Sequence, residues 1–487
     1  MLHLTTALDP ASQVPLYEQL YRSLVAEIRS GALPAGTRMP GKRSLAEELS
    51  VSVNTVDGAY QMLAAEGYLA SRPRSGFYVQ EYPALAGRPP EQEGDRPGAG
   101  KVQPAAPASP PVLYDLSTSG VDTGLFPFRT WARLQKELLY TSPDLLARGD
   151  PRGDPELRQA LTRYLEEYRG VRCTPDQIVV GAGIEYLLSL LAPLLKGPAA
   201  VENPGYPRAR QVLENSGHVC RFLPVDAGGL SVETLAASDA AVCYVTPSHQ
   251  FPTGVTMPAP RRAELLGWAA QRPGRRYIIE DDYDSEFRFD TRPLPSLQGM
   301  AGADGPVIYL STVARSLAPG IRIAYMVLPA HLLPAWGRRY SLYSGTVGRF
   351  EQQTLARFIR EGYFTRHLAR SRVAYKTRRN ALAAALEEAF GPAAALSGLH
   401  TGLHLLLRLR GTNIPPDTAL AVAARQAGIR LAALSSYYMD GPAGCPPGTL
   451  VLGYGALDDA LCAPLAGALS ATLKKACTAG PASSPST

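Results

Sequence analysis

The sequence predicts an α/β protein in two parts: a small winged helix-turn-helix, then a large α/β domain with a mostly parallel sheet. Three observations predict it. The chain has 487 residues, too many for one ordinary domain. A segment rich in Pro, Gly and Ala, "ALAGRPPEQEGDRPGAGKVQPAAPASPP" (residues 84–111), divides it into unequal pieces. Beyond that divide, helical and strand-like segments alternate, as they do where helices cover both faces of a parallel sheet.

In the N-terminal piece, "VPLYEQLYRSLVAEIRSG" carries Leu16, Leu20, Leu24, Val25 and Ile28 at helical spacing. The loop "ALPAGTRMPGKR", the short helix "SLAEELS" and a tight turn follow, then the helix "VNTVDGAYQMLAAEG" with Ser52 as its N-cap. "YLASRPRSGFYVQ" closes the unit as two strands around a turn at Pro73, Ser75 and Gly76. Helix, turn, helix and hairpin wing make a plan that presents its second helix to a DNA major groove. Small helical domains also serve protein contacts, and charge does not decide between the two. Residues 1–80 hold seven Lys/Arg and seven Asp/Glu. Placement does favour DNA, because Arg38, Lys42, Arg43, Arg72 and Arg74 lie in the loop and wing, where phosphates would be met.

The dividing segment is too poor in large apolar residues to offset its ordering entropy, so residues 81–112 are expected as a linker. By the same reasoning, residues 475–487 are expected as a disordered tail. The boundaries become 1–80 for the small domain and 113–474 for the large one. Hydrophobic residues make up 45% of the chain, enough for a large core. No apolar run approaches the roughly 20 residues of a membrane helix, and the start lacks a signal peptide's basic and apolar regions. Six scattered cysteines form no metal or C-x-x-C spacing, and a reducing cytoplasm is the expected setting. The net charge of +6 is mild for this length.

In the large domain, "ELRQALTRYLEEYRG" reads as a helix, "QIVVGAG" as strand and turn, and "IEYLLSLLAPLL" as a helix. "AAVENPGYP", "AAVCYVTP" and "RRYIIEDDYDSEF" read as strands ending in polar residues. "IYLSTVARSLAPGIRIAYMVLP" reads as two strands around a loop. Ligands of such folds bind at the carboxyl ends of the strands, so these polar ends converge. Gly181, Ala182 and Gly183 stand at a helix start whose free N–H groups suit a phosphate; such a turn is also a common tight connection. Glu280, Asp281 and Asp282 end a strand before Tyr283. A carboxylate there can face a protonated ring nitrogen, and a tyrosine a phenolic oxygen; the alternative is a solvated acidic loop. Tyr206, Arg208 and the turn Ser248–Gly254 add further polar groups.

Two resemblances follow from these residues. "LPAGTRMPGKRSLAEELSVSVNTVDGAYQMLAAEGYLASRPRSGFYV" resembles the winged helix of GntR-type bacterial regulators, and carries Arg43, Ser52, Asn54, Thr55 and Gly76 onto family DNA-contact positions. Val53 stands where the family commonly has arginine, and Gly58 weakens the helix by about 0.5–1 kcal/mol relative to alanine. "SGVDTGLFPFRTW", "GDPRGDPELRQAL", "ENPGYPRA", "TPSHQFPTG" and "IIEDDYDSEFRF" resemble fold-type I pyridoxal-phosphate aminotransferases. The two in this order resemble the MocR/GabR group, in which a GntR-type reader is joined to an aminotransferase-like effector domain.

The resemblance implies roles for individual residues. Asp281 matches the acid facing the pyridine nitrogen and Tyr283 the hydroxyl on the ring oxygen. Ala182, Gly183 and Ile184 fall on the phosphate-binding turn, although a hydroxyl residue is more usual at 184; Thr312 and Arg322 match further phosphate positions. Tyr206 matches a pocket-wall aromatic and Arg208 an effector-carboxylate arginine. The family's loop reads Ser or Thr, two residues, then the Schiff-base lysine. Three on from Thr312 stands Arg315, and no lysine lies between Lys196 and Lys376. A guanidinium has no free lone pair with which to attack an aldehyde.

The expectation is therefore a cytoplasmic transcriptional regulator, not an enzyme: a homodimer that reads a double-stranded DNA operator and senses a small molecule. The expected ligand is a B6 vitamer, an amino acid or both, with pyridoxal or pyridoxamine 5'-phosphate held without a covalent bond and Arg315 facing the phenolic oxygen or an effector's anion. The alternative for the pocket is an empty site in which Arg315 pairs with Asp281. The rival functions are a working aminotransferase and a ligand-independent DNA-binding dimer. No metal site is expected.

Overall fold

The computed structural model describes residues 8–81, 111–290 and 294–478. Most of the expected linker (82–110) and most of the expected tail (479–487) lie outside the described residues. The chain divides into two compact units, Met1–Ala108 and Ser109–Thr487.

The first unit is a winged helix-turn-helix. Helix α1 (Leu16–Arg29) buries Leu20, Leu24, Val25 and Ile28, the stripe its spacing predicts. Helix α2 (Lys42–Glu48) and helix α3 (Val53–Ala65) complete the core with Leu45, Val56, Ala59, Tyr60 and Leu63. Helix α3 starts where it does because Ser52 adopts an extended backbone, and its hydroxyl accepts the Thr55 N–H at 3.1 Å. Strands β1 (Leu69–Arg72) and β2 (Gly76–Val79) pair antiparallel. The wing turn between them needs left-handed backbone at Arg74 (φ 60°) and Gly76 (φ 104°), and glycine takes it without steric cost.

The second unit is built on an eight-stranded sheet. Helix α4 (Pro155–Arg169) precedes strand β3 (Ile178–Gly181) and helix α5 (Ile184–Leu191). Strand β4 (Ala199–Asn203), helix α6 (Pro207–Asn215), strand β5 (Cys220–Asp226) and strand β6 (Gly229–Leu230) follow. Strands β7 (Val242–Val245), β8 (Tyr277–Asp281), β9 (Val307–Thr312) and β10 (Ala324–Val327) complete it. The spatial order is β3-β10-β9-β8-β7-β4-β5-β6. The run from β9 through β5 is parallel, while β10 is antiparallel to both of its neighbours. Only residues 313–323 join β9 to β10. A parallel return needs a crossover of a dozen or more residues, so this short loop folds straight back.

The central strands are buried on both faces, which explains their nearly continuous apolar runs. The pleat divides them between two cores. Val179, Ile308, Leu310 and Met326 pack with α5 on one side; Ile178, Val180, Tyr309 and Tyr325 pack with α4 on the other.

A third core lies under a four-stranded antiparallel sheet (Ala394–Ser397, His404–Leu409, Thr449–Gly453, Ala432–Ala433), covered by helices Tyr363–Phe390 and Cys462–Thr478. That last helix corrects one expectation. Residues 475–478, assigned to the tail, are helical because Leu465, Leu469 and Leu473 anchor the helix and its end follows on. No helix among the described residues is long and apolar enough to cross a membrane.

Candidate functional site

The carboxyl ends of the parallel strands and the amino end of antiparallel β10 lie at one edge of the sheet. The register fixes this, since Ala324 pairs with both Thr312 and Gly181. Here opens a cavity of about 420 Å³, lined among others by Gly183, Ile184, Tyr206, Asp281, Tyr283 and Thr312, and by Arg208, Arg315 and Arg322. Of the residues to which the resemblance gives a pocket role, Ala182 alone is not in the lining and stands just behind it. Its N–H donates to Thr346 Oγ1 at 3.1 Å, and its carbonyl accepts from Arg322 Nη2 at 2.8 Å.

Asp281, the last residue of β8, is fully buried. Tyr244 of β7 donates to its Oδ2, while Oδ1 has no hydrogen-bond partner among the described residues. Burial, above all, pushes this carboxyl up to about 7. Tyr283 follows it, with its hydroxyl 3.0 Å from His249 Nδ1, which also lies 2.9 Å from the Asp284 carboxylate. With the Nδ1 proton donated to Asp284, the ring nitrogen cannot accept, so the Tyr283 hydroxyl keeps its own proton for the cavity.

Gly183 is left-handed (φ 117°), and a methyl there would come within 2.5 Å of Arg322 Nη2. The turn therefore admits the guanidinium only because no side chain intervenes. Arg322 is itself left-handed (φ 56°). Thr312 lines the cavity, but its hydroxyl donates to the Ile323 carbonyl and accepts from the Ala314 N–H, both at 3.1 Å. It braces the loop rather than offering a free donor.

Arg208 is not free. Its Nη1 lies 3.0 Å from Glu185 Oε1, which also accepts from the Tyr206 hydroxyl at 2.9 Å. Burial raises the Glu185 carboxyl. Its own backbone N–H, Arg208 and Tyr206 together outweigh that and hold it below the usual range. Arg315 donates to the backbone carbonyls of Thr118 and of Gly120, the latter at 3.4 Å. It forms no ion pair with Asp281, so the pairing expected for an empty pocket is not present. The guanidinium reaches the chain segment at 118–120, and Asp281 Oδ2 is taken by Tyr244.

Glu185, Tyr244, Thr118 and Tyr437 were missed by the sequence reading. Glu185 adjoins the phosphate turn, and Tyr244 stands one residue before the end of a buried strand. Those positions could have flagged them. Thr118 contributes a backbone carbonyl, which has no sequence signature.

The open carboxylate oxygen of Asp281, the Gly183 approach, the α5 N-terminus and Arg322 together fit a phosphorylated pyridine. Arg315 does not fit covalent capture of its aldehyde.

On the winged helix, Arg38, Lys42 and Gly76 border one cleft with Ser75 and Phe77. Arg43, Asn54 and Arg74 are exposed, and Val53 is 43% exposed at the first position of α3. Ser52 and Thr55 hydroxyls bond each other at 2.8 Å as part of the cap. Lys42 is ion-paired with Asp57 of α3, and Arg72 stands 4.4 Å above the Tyr78 ring.

Residues 16–79 match the bacterial regulatory proteins of the gntR family, and residues 113–469 match aminotransferases of classes I and II. The chain is 37% identical over 464 residues to an uncharacterized HTH-type transcriptional regulator, YhdI, of Bacillus subtilis, covering 94% of this chain and 96% of the relative. It is 35% identical to the probable rhizopine catabolism regulatory protein MocR of Rhizobium meliloti, covering 93% and 92%. Among solved structures, a multiple substrate aminotransferase from Thermococcus profundus superimposes with a TM-score of 0.68 at 24% identity, covering 76% of this chain and 93% of that one.

Proposed function

The chain belongs to the MocR/GabR-type transcriptional regulators, a GntR-type reader fused to a class I/II aminotransferase-like domain, and from that premise we propose that its large domain is a non-covalent sensor. Its ligand is a B6 vitamer, an amino acid, or the two combined. The observation that carries this reading is a cavity that keeps an open, buried Asp281 oxygen beside Gly183 and Arg322, with a guanidinium at 315.

When bound, a pyridoxal-type cofactor supplies an electron-withdrawing ring. Asp281 would hold its ring nitrogen and Tyr283 its phenolic oxygen. Ala182, Gly183, Ile184 and Arg322 would surround its phosphate, with Thr312 bracing the loop beneath. Arg315 has no neutral amine to offer an aldehyde, and a transaminase would need one to move a proton at the substrate carbon. The protein thus acts through binding, not turnover. A ligand that favours one geometry of the dimer changes operator affinity by its difference in affinity between the two.

The reader binds double-stranded DNA in the cytoplasm through α3 and the wing. Arg38, Lys42, Arg43, Arg72 and Arg74 would meet phosphates, and Asn54 base edges, while Ser52 and Thr55 hold the helix start and Gly76 the wing turn. Homodimerisation is supported by apolar side chains left open on the large unit, among them Leu342 (89% exposed), Leu146 (81%) and Tyr140 (79%).

The test is absorption titration with pyridoxal 5'-phosphate, before and after borohydride, beside Arg315→Lys. Saturable binding that borohydride does not fix in the native protein, but does fix in the variant, is expected. An adduct fixed in the native protein would overturn non-covalent sensing. No binding by either would leave the ligand-independent dimer.

A further inference from the structure

Among the described residues, five charged side chains line the cavity: Glu185, Arg208, Asp281, Arg315 and Arg322. Glu185 and Arg208 compensate one another. Asp281 accepts from Tyr244 and touches neither remaining arginine, and its carboxyl, pushed up to about 7 by burial, behaves as a group without a cationic partner. That leaves Arg315 and Arg322. Each, among the described residues, bonds only backbone carbonyls: Arg315 those of Thr118 and Gly120, Arg322 that of Ala182. Among the described residues, neither has a carboxylate within ion-pair distance. Carbonyls satisfy N–H groups but leave the charge itself uncompensated. Each fork also keeps N–H groups unused, since a guanidinium carries five.

The two arginines serve different walls. Arg322 lies over the Gly183 turn, where a helix N-terminus adds its own positive end. Arg315 projects toward the 118–120 segment. A single anionic group suits one of them, and a second is needed for the other. Resting on the reading of this cavity as a phosphorylated-ring site, we propose that its ligand carries two anionic groups, a phosphate for Arg322 and a carboxylate for Arg315. The fork of Arg315 matches a carboxylate in two parallel hydrogen bonds, whereas it repels an amine and gains little from a neutral aldehyde. The ligand is thus a phosphorylated pyridine bearing a carboxylate at its 4' side. The carboxylate belongs either to the ring's own oxidised carbon or to an amino acid joined there.

The experiment is calorimetric titration of the full chain with four probes. Two carry a carboxylate, 4-pyridoxic acid 5'-phosphate and N-(5'-phosphopyridoxyl)-L-alanine; pyridoxamine 5'-phosphate and pyridoxal 5'-phosphate do not. At least one acid should bind about tenfold or more tighter than pyridoxamine 5'-phosphate, and which one does so identifies the carboxylate's source. Arg315→Gln should erase that preference and leave pyridoxamine 5'-phosphate no weaker. Arg315→Lys, which keeps the charge but loses the fork, should fall between and guards against a folding defect in the first variant. Equal binding of all four probes, or a preference that survives in Arg315→Gln, would overturn the proposal while sparing the pocket. Binding of none would overturn the phosphorylated-ring reading itself.

Discussion

The two regions that would meet ligands treat their cations differently. On the reader, one of the five cations assigned to phosphates, Lys42, is paired with Asp57, while Arg38, Arg43, Arg72 and Arg74 form no ion pair among the described residues. The seven basic residues of 1–80 are equalled in number by seven acidic ones. In the cavity of the large unit, Arg208 is paired with Glu185, while Arg315 and Arg322 face only carbonyls among the described residues. A cation with a carboxylate in reach meets an outside anion only by exchange, so its net gain is small. A cation held by carbonyls still has its full charge to offer. The cavity thus gathers two uncompensated charges at one place, while the reader spreads its free cations over a unit of zero net charge, so a DNA face there depends more on its shape and its helix. Each of the following experiments presses on that contrast.

The largest effect concerns buried acids, which among the described residues the large unit holds and the reader does not. Among the described residues, Glu202, Asp281 and Glu286 each have one oxygen without a partner, and burial above all pushes each carboxyl up to about 7. Their folded values lie above the ordinary unfolded ones near 4. The folded state therefore binds more protons between about pH 4 and 7, and stability falls as pH rises through that window. Each tenfold gain in proton affinity on folding is worth about 1.4 kcal/mol, so the three acids together lose several kcal/mol across it. Urea denaturation followed by tryptophan fluorescence reads this unit alone, because Trp131, Trp268 and Trp336 all belong to it. A midpoint that stays level from pH 5 to 7.5 would mean these acids are solvated or paired.

Next comes Arg322→Ala. Loss of a charge-assisted contact to a phosphate costs about 1.5–3 kcal/mol, so pyridoxamine 5'-phosphate should bind about 10- to 100-fold more weakly. Its thermal denaturation should hardly change, since the side chain bonds one carbonyl and forms no ion pair among the described residues. Unchanged affinity would move the phosphate elsewhere and remove half of the contrast.

A smaller effect tests the reader. Asp57→Asn releases Lys42 from its ion pair. Operator affinity should rise about threefold at low salt, and the slope of log affinity against log salt should steepen by about one. An unchanged slope would mean that Lys42 does not reach the DNA.

The parts of this molecule legible in its residues were those governed by short-range rules. The α1 stripe and the Ser52 cap follow from helical spacing and one hydroxyl. The parallel sheet follows from alternation, and the convergence of Asp281, Gly183 and Arg322 follows from strand ends sharing one edge. The contact between Arg315 and Thr118 spans 197 residues and ends on a backbone carbonyl, so no side chain announces it. The Glu185–Arg208 pair depends on how α5 and α6 lie together, which their separate patterns do not fix. The C-terminal antiparallel sheet escaped because "HLLLRL" is an apolar run buried on both faces, without the alternation that marks an antiparallel strand.

The smallest effect separates the reader's helix from its charges. Gly58 lies in α3, and a methyl there would meet the Tyr17 side chain at 3.5–3.8 Å, ordinary contact distance. Gly58→Ala should stabilise the helix by about 0.5–1 kcal/mol. For a unit of this size that raises its melting temperature by about 4 °C, read by hydrogen exchange at α3 amides or by calorimetry of the full chain. Operator affinity should hold or rise slightly, because a firmer helix loses less entropy on binding. A protein that melts higher but binds its operator several-fold more weakly would give Gly58 a different role. The missing side chain would then be what lets the DNA backbone approach α3, and shape rather than charge would be the reader's main asset.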